Sequence, residues 1–245
     1  MQLLRRTKEE FTVLLSELVQ VVVQSFMLSQ HVDLLELMTE TVTTVFKSKH
    51  PILQEQACQV SHFMFGFFES NMRSHPDLTA AYFRFVHVNI WKCAYIFDDP
   101  VLQGQLWYWA TMALMQPELT VVTHAGQTLK DLARHVAKKN APLPACVEQH
   151  GLLLLDTILR GASGGLNADA LPTLADVMLA MNVNFGEFVA VNLARLLAQP
   201  NYPNSRIAPQ VRDQEEKERK DIKEGRKEER RRRRKRDKAQ KGYQW

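Results

Sequence analysis

The sequence predicts an all-α fold, a solenoid of about four to five stacked helical hairpins with a charged C-terminal helix or arm. Three observations carry that prediction. The stretch from Cys146 to Pro200 reads as two apolar-faced helices joined by a glycine turn. Helix pairs restart near residues 8, 54, 100 and 143, a spacing of roughly 45, with an odd helix from 185. Nowhere do two segments read convincingly as a strand pair. A hairpin with one apolar face on each helix cannot bury both alone; it needs neighbours of its own kind. The letters barely repeat between units, so an irregular helical domain is the alternative arrangement of the same helices.

In chain order, Phe11, Leu15, Leu18, Val22 and Phe26 keep helical spacing between Lys8 and Leu28, and length favours a helix over a strand through Val21–Val23. A second helix, Val32 to Lys47, carries Leu34, Leu35, Met38, Val42, Val45 and Phe46 and stops before Pro51, whose ring would clash with a continuing turn. A third, Ile52 to Asn71, is rich in aromatics at Phe63, Phe65, Phe67 and Phe68. At Ser74-His-Pro76-Asp, proline suits the first helical position and Ser74 or Asp77 can satisfy early N–H groups, so a long fourth helix follows with Leu78, Tyr82, Phe85, Ile90 and Phe97 inside. Asp98-Asp-Pro100 restarts the chain, with Asp98 and Asp99 as caps and Leu102, Leu106, Trp109, Ala110 and Leu114 on the next face. Pro117 breaks that helix, and Leu119 to Val136 follows with Val122, Leu129, Leu132 and Val136 apolar. After the loop Asn140-Ala-Pro-Leu-Pro144, Leu152 to Leu155, Ile158 and Leu159 make one very apolar helix. Gly161-Ala-Ser-Gly-Gly165 ends it by the left-handed conformation that glycine enters freely. Asn167 and Asp169 then open a helix with Leu171, Leu174, Met178 and Met181 on one face, and Phe185 to Ala198 is the last packed helix. The roughly 45-residue spacing falls within the HEAT and armadillo class.

Composition shifts near residue 211. Arg212 to Trp245 carries 16 Lys and Arg against 9 Asp and Glu, a net of +7, while residues 1–211 carry a net of −3. Whole-chain charge therefore describes the tail, and a nucleic-acid argument built on it misleads for the body. The expected organisation is a helical repeat region at 1–199, a proline-containing linker at 200–211 and a basic tail at 212–245. Three widely spaced cysteines, Cys58, Cys93 and Cys146, fit a reducing compartment and buried thiols better than a disulfide framework. Polar Glu17, Gln20 and Gln24 interrupt the most apolar stretch, so no transmembrane helix is indicated, and the N-terminus is not a persuasive secretory signal.

Signatures of catalysis are lacking, and the expectation is a non-enzyme without cofactor or metal. Cys58 and His62 lie four apart on a helix, but no second pair of ligand spacing accompanies them, so two packed residues are the better reading. The eight histidines are dispersed without sequence companions that name a triad. Gly161, Gly164 and Gly165 follow no strand and lack the lysine of a phosphate loop. Trp107, Tyr108 and Trp109 have the chemistry to stack bases or anchor a partner, yet a helical setting favours partial burial.

At Trp109-Ala-Thr-Met-Ala-Leu114 followed by Pro117-Glu118, at Leu174-Ala-Asp-Val-Met-Leu-Ala-Met-Asn182, and at Leu197-Ala-Gln-Pro200 with Tyr202-Pro203 and Ser205-Arg206, the chain resembles nuclear transport receptors of the importin-β superfamily. The likeness is to the C-terminal part of the importin-13 and transportin-SR branch, over about residues 70–211. It implies a HEAT-repeat solenoid that grips protein cargo and shuttles between nucleus and cytoplasm, with the GTPase Ran and nucleoporins as further partners. In that family the Ran- and pore-binding surfaces lie largely in the N-terminal repeats of a longer chain, whereas Met1 here stands in what reads as mid-solenoid, as in a fragment or a shortened paralogue.

The tail admits a separate role. Acid-first pairs four apart, such as Glu215 with Arg219 and Glu228 with Arg232, suit a solvated helix, and the near absence of apolar residues suits a disordered arm equally. Arg230, Arg231, Arg232, Arg233, Arg234, Lys235 and Arg236 form the basic run, whose guanidiniums are suited to phosphates or the carboxylates of an acidic partner. A solubilising terminus is the plain alternative. The second functional reading is therefore an RNA-associated helical scaffold that draws its affinity from this tail.

Overall fold

The structure is a computed structural model and describes residues 2–45, 51–137, 143–200 and 202–203. Its helices are α1 (Gln2–Ser29), α2 (Val32–Val45), α3 (Pro51–Asn71), α4 (Pro76–Cys93), α5 (Pro100–Ala113), α6 (Leu119–Ala137), α7 (Ala145–Arg160) and α8 (Leu171–Leu197). No strand occurs among the described residues. Two compact units divide the chain, Met1–Arg195 and Leu196–Trp245. In the second, Leu196 and Tyr202 are buried and the Gln199 N–H donates to the Leu196 carbonyl at 3.1 Å.

Within the first unit the helices form two rows. Odd helices stack α1 on α3, α3 on α5 and α5 on α7, while even helices stack α2 on α4 and α4 on α6, and α6 meets the turn Ala168–Ala170 that opens α8. Hairpin partners α1 and α2, and α5 and α6, also pack. This is the two-layer arrangement of a HEAT-type solenoid with four hairpins, beginning at Gln2, Pro51, Pro100 and Ala145. The side-chain bonds between neighbouring even helices carry the same period: Arg84 to Glu36, His87 to Asp131, Thr128 to Phe83 and Lys130 to Asp176 span 48, 44, 45 and 46 residues.

Aromatic packing joins α3 to α4. Phe68 stacks on Phe83 with centroids 5.6 Å apart and meets Tyr82 edge-on at 5.5 Å, while Phe65 meets Tyr82 at 6.2 Å. Tyr82, Phe83, Phe85, Phe97 and Trp107 are fully buried, each removing enough apolar surface to contribute about 1.5–3 kcal/mol.

Turn chemistry sets the boundaries, with several departures from the sequence reading. Asp99 caps α5, accepting from the N–H groups of Val101 at 2.7 Å and Leu102 at 3.2 Å, and Pro100 takes the first helical position. Asp98 does not cap; its carboxylate faces His135 on α6. Neither Ser74 nor Asp77 caps α4: the cap residue is His75, without a side-chain bond, and proline alone presets the turn. The fourth helix is shorter than expected, because Cys93 at φ −138° leaves helical geometry and Ala94–Phe97 continue as a 3-10 turn. The Gln103 side chain donates to the Phe97 carbonyl at 2.7 Å and holds that turn. Gly164, at φ +103°, supplies the left-handed residue in the glycine stretch, and Asn167 accepts from the Asp169 N–H.

The last hairpin differs most. The odd helix expected at 185 belongs to α8, which kinks at Phe185 where φ is −139°. Before the kink, Thr173 and Val177 pack at Gly126 of α6; beyond it, the Phe188 ring packs at Gly151 of α7. Leu171 is exposed, and Val177 and Ala180 join Leu174 and Met181 in the core. The segment Ala168–Leu197 is long and apolar enough to cross a membrane by length and composition, which a search for an unbroken apolar run overlooks. Here Leu174, Val177, Met181, Phe185 and Val189 are buried, while Leu179, Val183 and Val191 line its open flank. α1 likewise buries Val19, Val22, Val23 and Phe26 and exposes Leu18, because α2 and α3 cover only one side of it.

A β-carbon at Gly126 would run into the methyl group of Thr173, a stiff β-branched side chain. Gly126→Val is expected to destabilise by about 1–3 kcal/mol through overpacking of α6 against α8. The melting temperature followed by circular dichroism should fall by about 2–4 °C per kcal/mol, and a second change, Thr173→Ala, should recover part of the loss.

Candidate protein-binding surface

The even row presents a continuous face whose polar residues bridge one repeat to the next. At its centre Asp131 of α6 is almost wholly buried, and its two carboxylate oxygens are both used: one faces His87 Nδ1 of α4 at 2.6 Å and the other accepts from Arg134 at 3.3 Å. A carboxylate in that setting must be hydrogen-bonded to remain buried. Beside it the Thr128 hydroxyl donates to the Phe83 carbonyl at 3.0 Å, a direct tie from α6 to the backbone of α4. His135 Nε2 lies 2.9 Å from Asp98, and so fastens α6 to the turn before α5.

Toward either end the ties become more exposed. Lys130 donates to Asp176 of α8 at 3.0 Å, and Arg84 to Glu36 of α2 at 3.3 Å. With both partners half exposed, the Arg84–Glu36 pair contributes little, about 0–1 kcal/mol. His124 sits among these groups, hydrogen-bonded to Gln127 at 3.2 Å. Burial moves its pKa below the ordinary value against the Gln127 bond, and the electrostatic influence of the neighbouring Arg84 and His87 pushes the same way as burial.

The structure places the sequence candidates as follows. Trp107 is fully buried, whereas Tyr108 and Trp109 are half buried and packed against His150 and Phe68. They border a groove of about 540 Å³ between α5 and α7 with Pro100 and Gln149, on the odd row. Cys58 is half buried and His62 exposed on α3. Among the described residues no three His, Cys, Asp or Glu side chains gather as a metal-ligand set. The basic run Arg230–Arg236 lies outside the described residues.

Sequence reasoning missed three things: the His87–Asp131 and His135–Asp98 pairs, which folding alone brings together across 44 and 37 residues, and Trp91. Trp91 is 70% exposed on α4. The signal was available, since the buried positions Leu78, Tyr82, Phe85, Val86, Asn89 and Cys93 trace a helical face that leaves Trp91 outside.

Cys93 and Cys146 are buried, and Cys58 is half buried. Burial pushes Cys146 up to about 11 from 9.0, against backbone hydrogen bonds that oppose the shift, and burial also raises Cys58 and Cys93. A raised folded-state pKa contributes stability that is complete below pH 9.0 and is lost as pH rises toward 11, since the unfolded chain releases the proton first. Urea midpoints should therefore fall across that interval, and fall less in Cys146→Ala. Iodoacetamide labelling of the native protein near neutral pH should be slow until urea unfolds it.

No family model matches the chain. It is 22% identical over 148 residues to importin-13 of Gallus gallus, a match that covers 60% of this chain and 15% of that protein. Among solved structures, importin-13 in its cytosolic state shares the fold with a TM-score of 0.70 and 24% identity, over 79% of this chain and 22% of the other. The chain thus spans less than a quarter of the length of either relative. Four hairpins in register, with this likeness in sequence and fold, make the chain similar to a HEAT-repeat segment of an importin-β-like transport receptor.

Proposed function

We propose that this segment binds protein cargo in nucleocytoplasmic transport, on the face lined by the even helices. The observation that carries the reading is the ladder Glu36–Arg84, His87–Asp131, Lys130–Asp176, which runs through all four repeats, holds the even row at fixed register through a buried central rung, and leaves polar outer rungs at its surface. Binding here is surface complementarity, with no bond made or broken. Each repeat touches only its neighbours, so small rotations between repeats add along the row and adjust the surface to a partner. Ran and nucleoporins enter by the likeness to importin-13, as does a place in both nucleus and cytoplasm. The run Arg230–Arg236 adds contacts to an acidic partner or to phosphates.

Capture on the purified chain, with and without GTP-loaded Ran, tests the reading. The expected result is retention of transport partners in at least one of the two states; retention of none in either state overturns it. Removing residues 212–245 separates the body from the tail. Cargo capture is expected to survive, while RNA affinity, where present, should disappear along with its steep salt dependence.

A further inference from the structure

Among the described residues, the open flanks of α1 and α8 carry several exposed apolar side chains: Leu14, Leu18 and Val21 on one, Leu179, Val183 and Val191 on the other. Trp91 is different. It sits on α4, which has α2 on one side and α6 on the other, in the middle of the even row. An indole left 70% exposed between two covered neighbours is apolar surface that the stacking of repeats does not account for. Tryptophan and arginine are also the side chains that most often anchor protein interfaces.

Trp91 borders a cleft of about 250 Å³ between the C-terminal ends of α4 and α6, with Ile90 and Ala94 on its own side and Asp131, Arg134 and His135 opposite. Both carboxylates near the cleft already have a partner; Asp131 is buried, whereas Asp98 stays exposed. Asp131 is bound by His87 and Arg134, and Asp98 faces His135. Arg134, half exposed, gives one amino group to Asp131, and its planar fork has further donors. The cleft therefore presents an aromatic surface next to a guanidinium. An incoming cation would meet Arg134 and find Asp131 already occupied.

We propose that this cleft docks an acidic stretch of a partner protein: the Trp91 indole covers an apolar or aromatic residue, and the Arg134 guanidinium pairs with a neighbouring Asp or Glu carboxylate. This rests on the even-row face being the partner-binding surface and names the chemistry of the partner there. Desolvation beside the indole strengthens the ion pair, since water that would screen the charges is displaced. The exposed indole and the cation then serve one ligand.

The test uses the full chain and fluorescein-labelled dodecapeptides with one Phe, Trp or Leu set in a run of Asp and Glu. Matched peptides carry Lys for the acids or Ser for the apolar residue. Anisotropy titrations at physiological salt compare the wild type with Trp91→Ser and Arg134→Gln; the basic tail is common to all three, so its contribution cancels. The expected result is saturable binding of the acidic-apolar peptides that weakens about tenfold in each variant, with partial rescue in Trp91→Phe and Arg134→Lys. The substituted peptides should bind poorly. Melting curves check folding, and because Trp91 is exposed, Trp91→Ser should melt with the wild type. Equal affinity across the three proteins within about twofold, no saturable binding by the wild type, or equal binding of the Lys peptides overturns the proposal. So does Trp91-dependent binding of an oligouridylate in place of the peptides. Should the peptides fail while partner capture still succeeds, the docking point falls and the transport reading stands.

Discussion

Asp131 is the residue on which the even row depends. Its carboxylate is buried at the seam between α4 and α6, where only the bonds from His87 and Arg134 keep a charge tolerable. Those bonds require the two helices to face one another at one offset, and that offset is 44 residues, the length of one repeat. Thr128 imposes the same condition by reaching the Phe83 carbonyl 45 residues away. Hydrophobic stacking alone tolerates sliding, because leucine against leucine is much the same a turn earlier or later. The buried polar contacts do not, so they fix the register while apolar burial supplies most of the stability.

The interior between the two rows is held differently. Phe65 and Phe68 of α3 interlock with Tyr82 and Phe83 of α4, and Phe68 also meets Trp109 of α5. Interior and surface thus divide the work. Aromatic packing gives bulk to the interior, and the polar ladder of the even row leaves charged and aromatic groups at the surface.

How much of this was legible beforehand depends on what fixes each feature. Boundaries set by local chemistry read well: Pro51, Pro76, Asp99 with Pro100, and the glycine stretch Gly161–Gly165 with its left-handed Gly164 all stand where short-range rules put them. Faces in the middle of the stack read well too, as Val122, Leu129, Leu132 and Val136 show. Failures occur where a neighbour decides. Leu18 and Leu171 have the right spacing but no helix over them, and Trp107 displaces Trp109 as the buried indole. The early end of α4 at Cys93 went unseen because the Gln103 bond that holds the following turn comes from another helix. The His–Asp pairs are invisible in principle to a reading of spacing, since one repeat of intervening chain separates the partners.

The bend at Phe185 gives α8 an unequal mechanical role. Its first half leans on Gly126 of α6 and its second on Gly151 of α7, so one continuous rod is anchored to both layers at points where the absent side chains allow close approach. Pressure on the distal half is felt by α7 and reaches α6 through the backbone at the bend as well as through α5, which packs on both. The terminal rod is therefore a coupling bar, through which leverage on one layer becomes shear in the other.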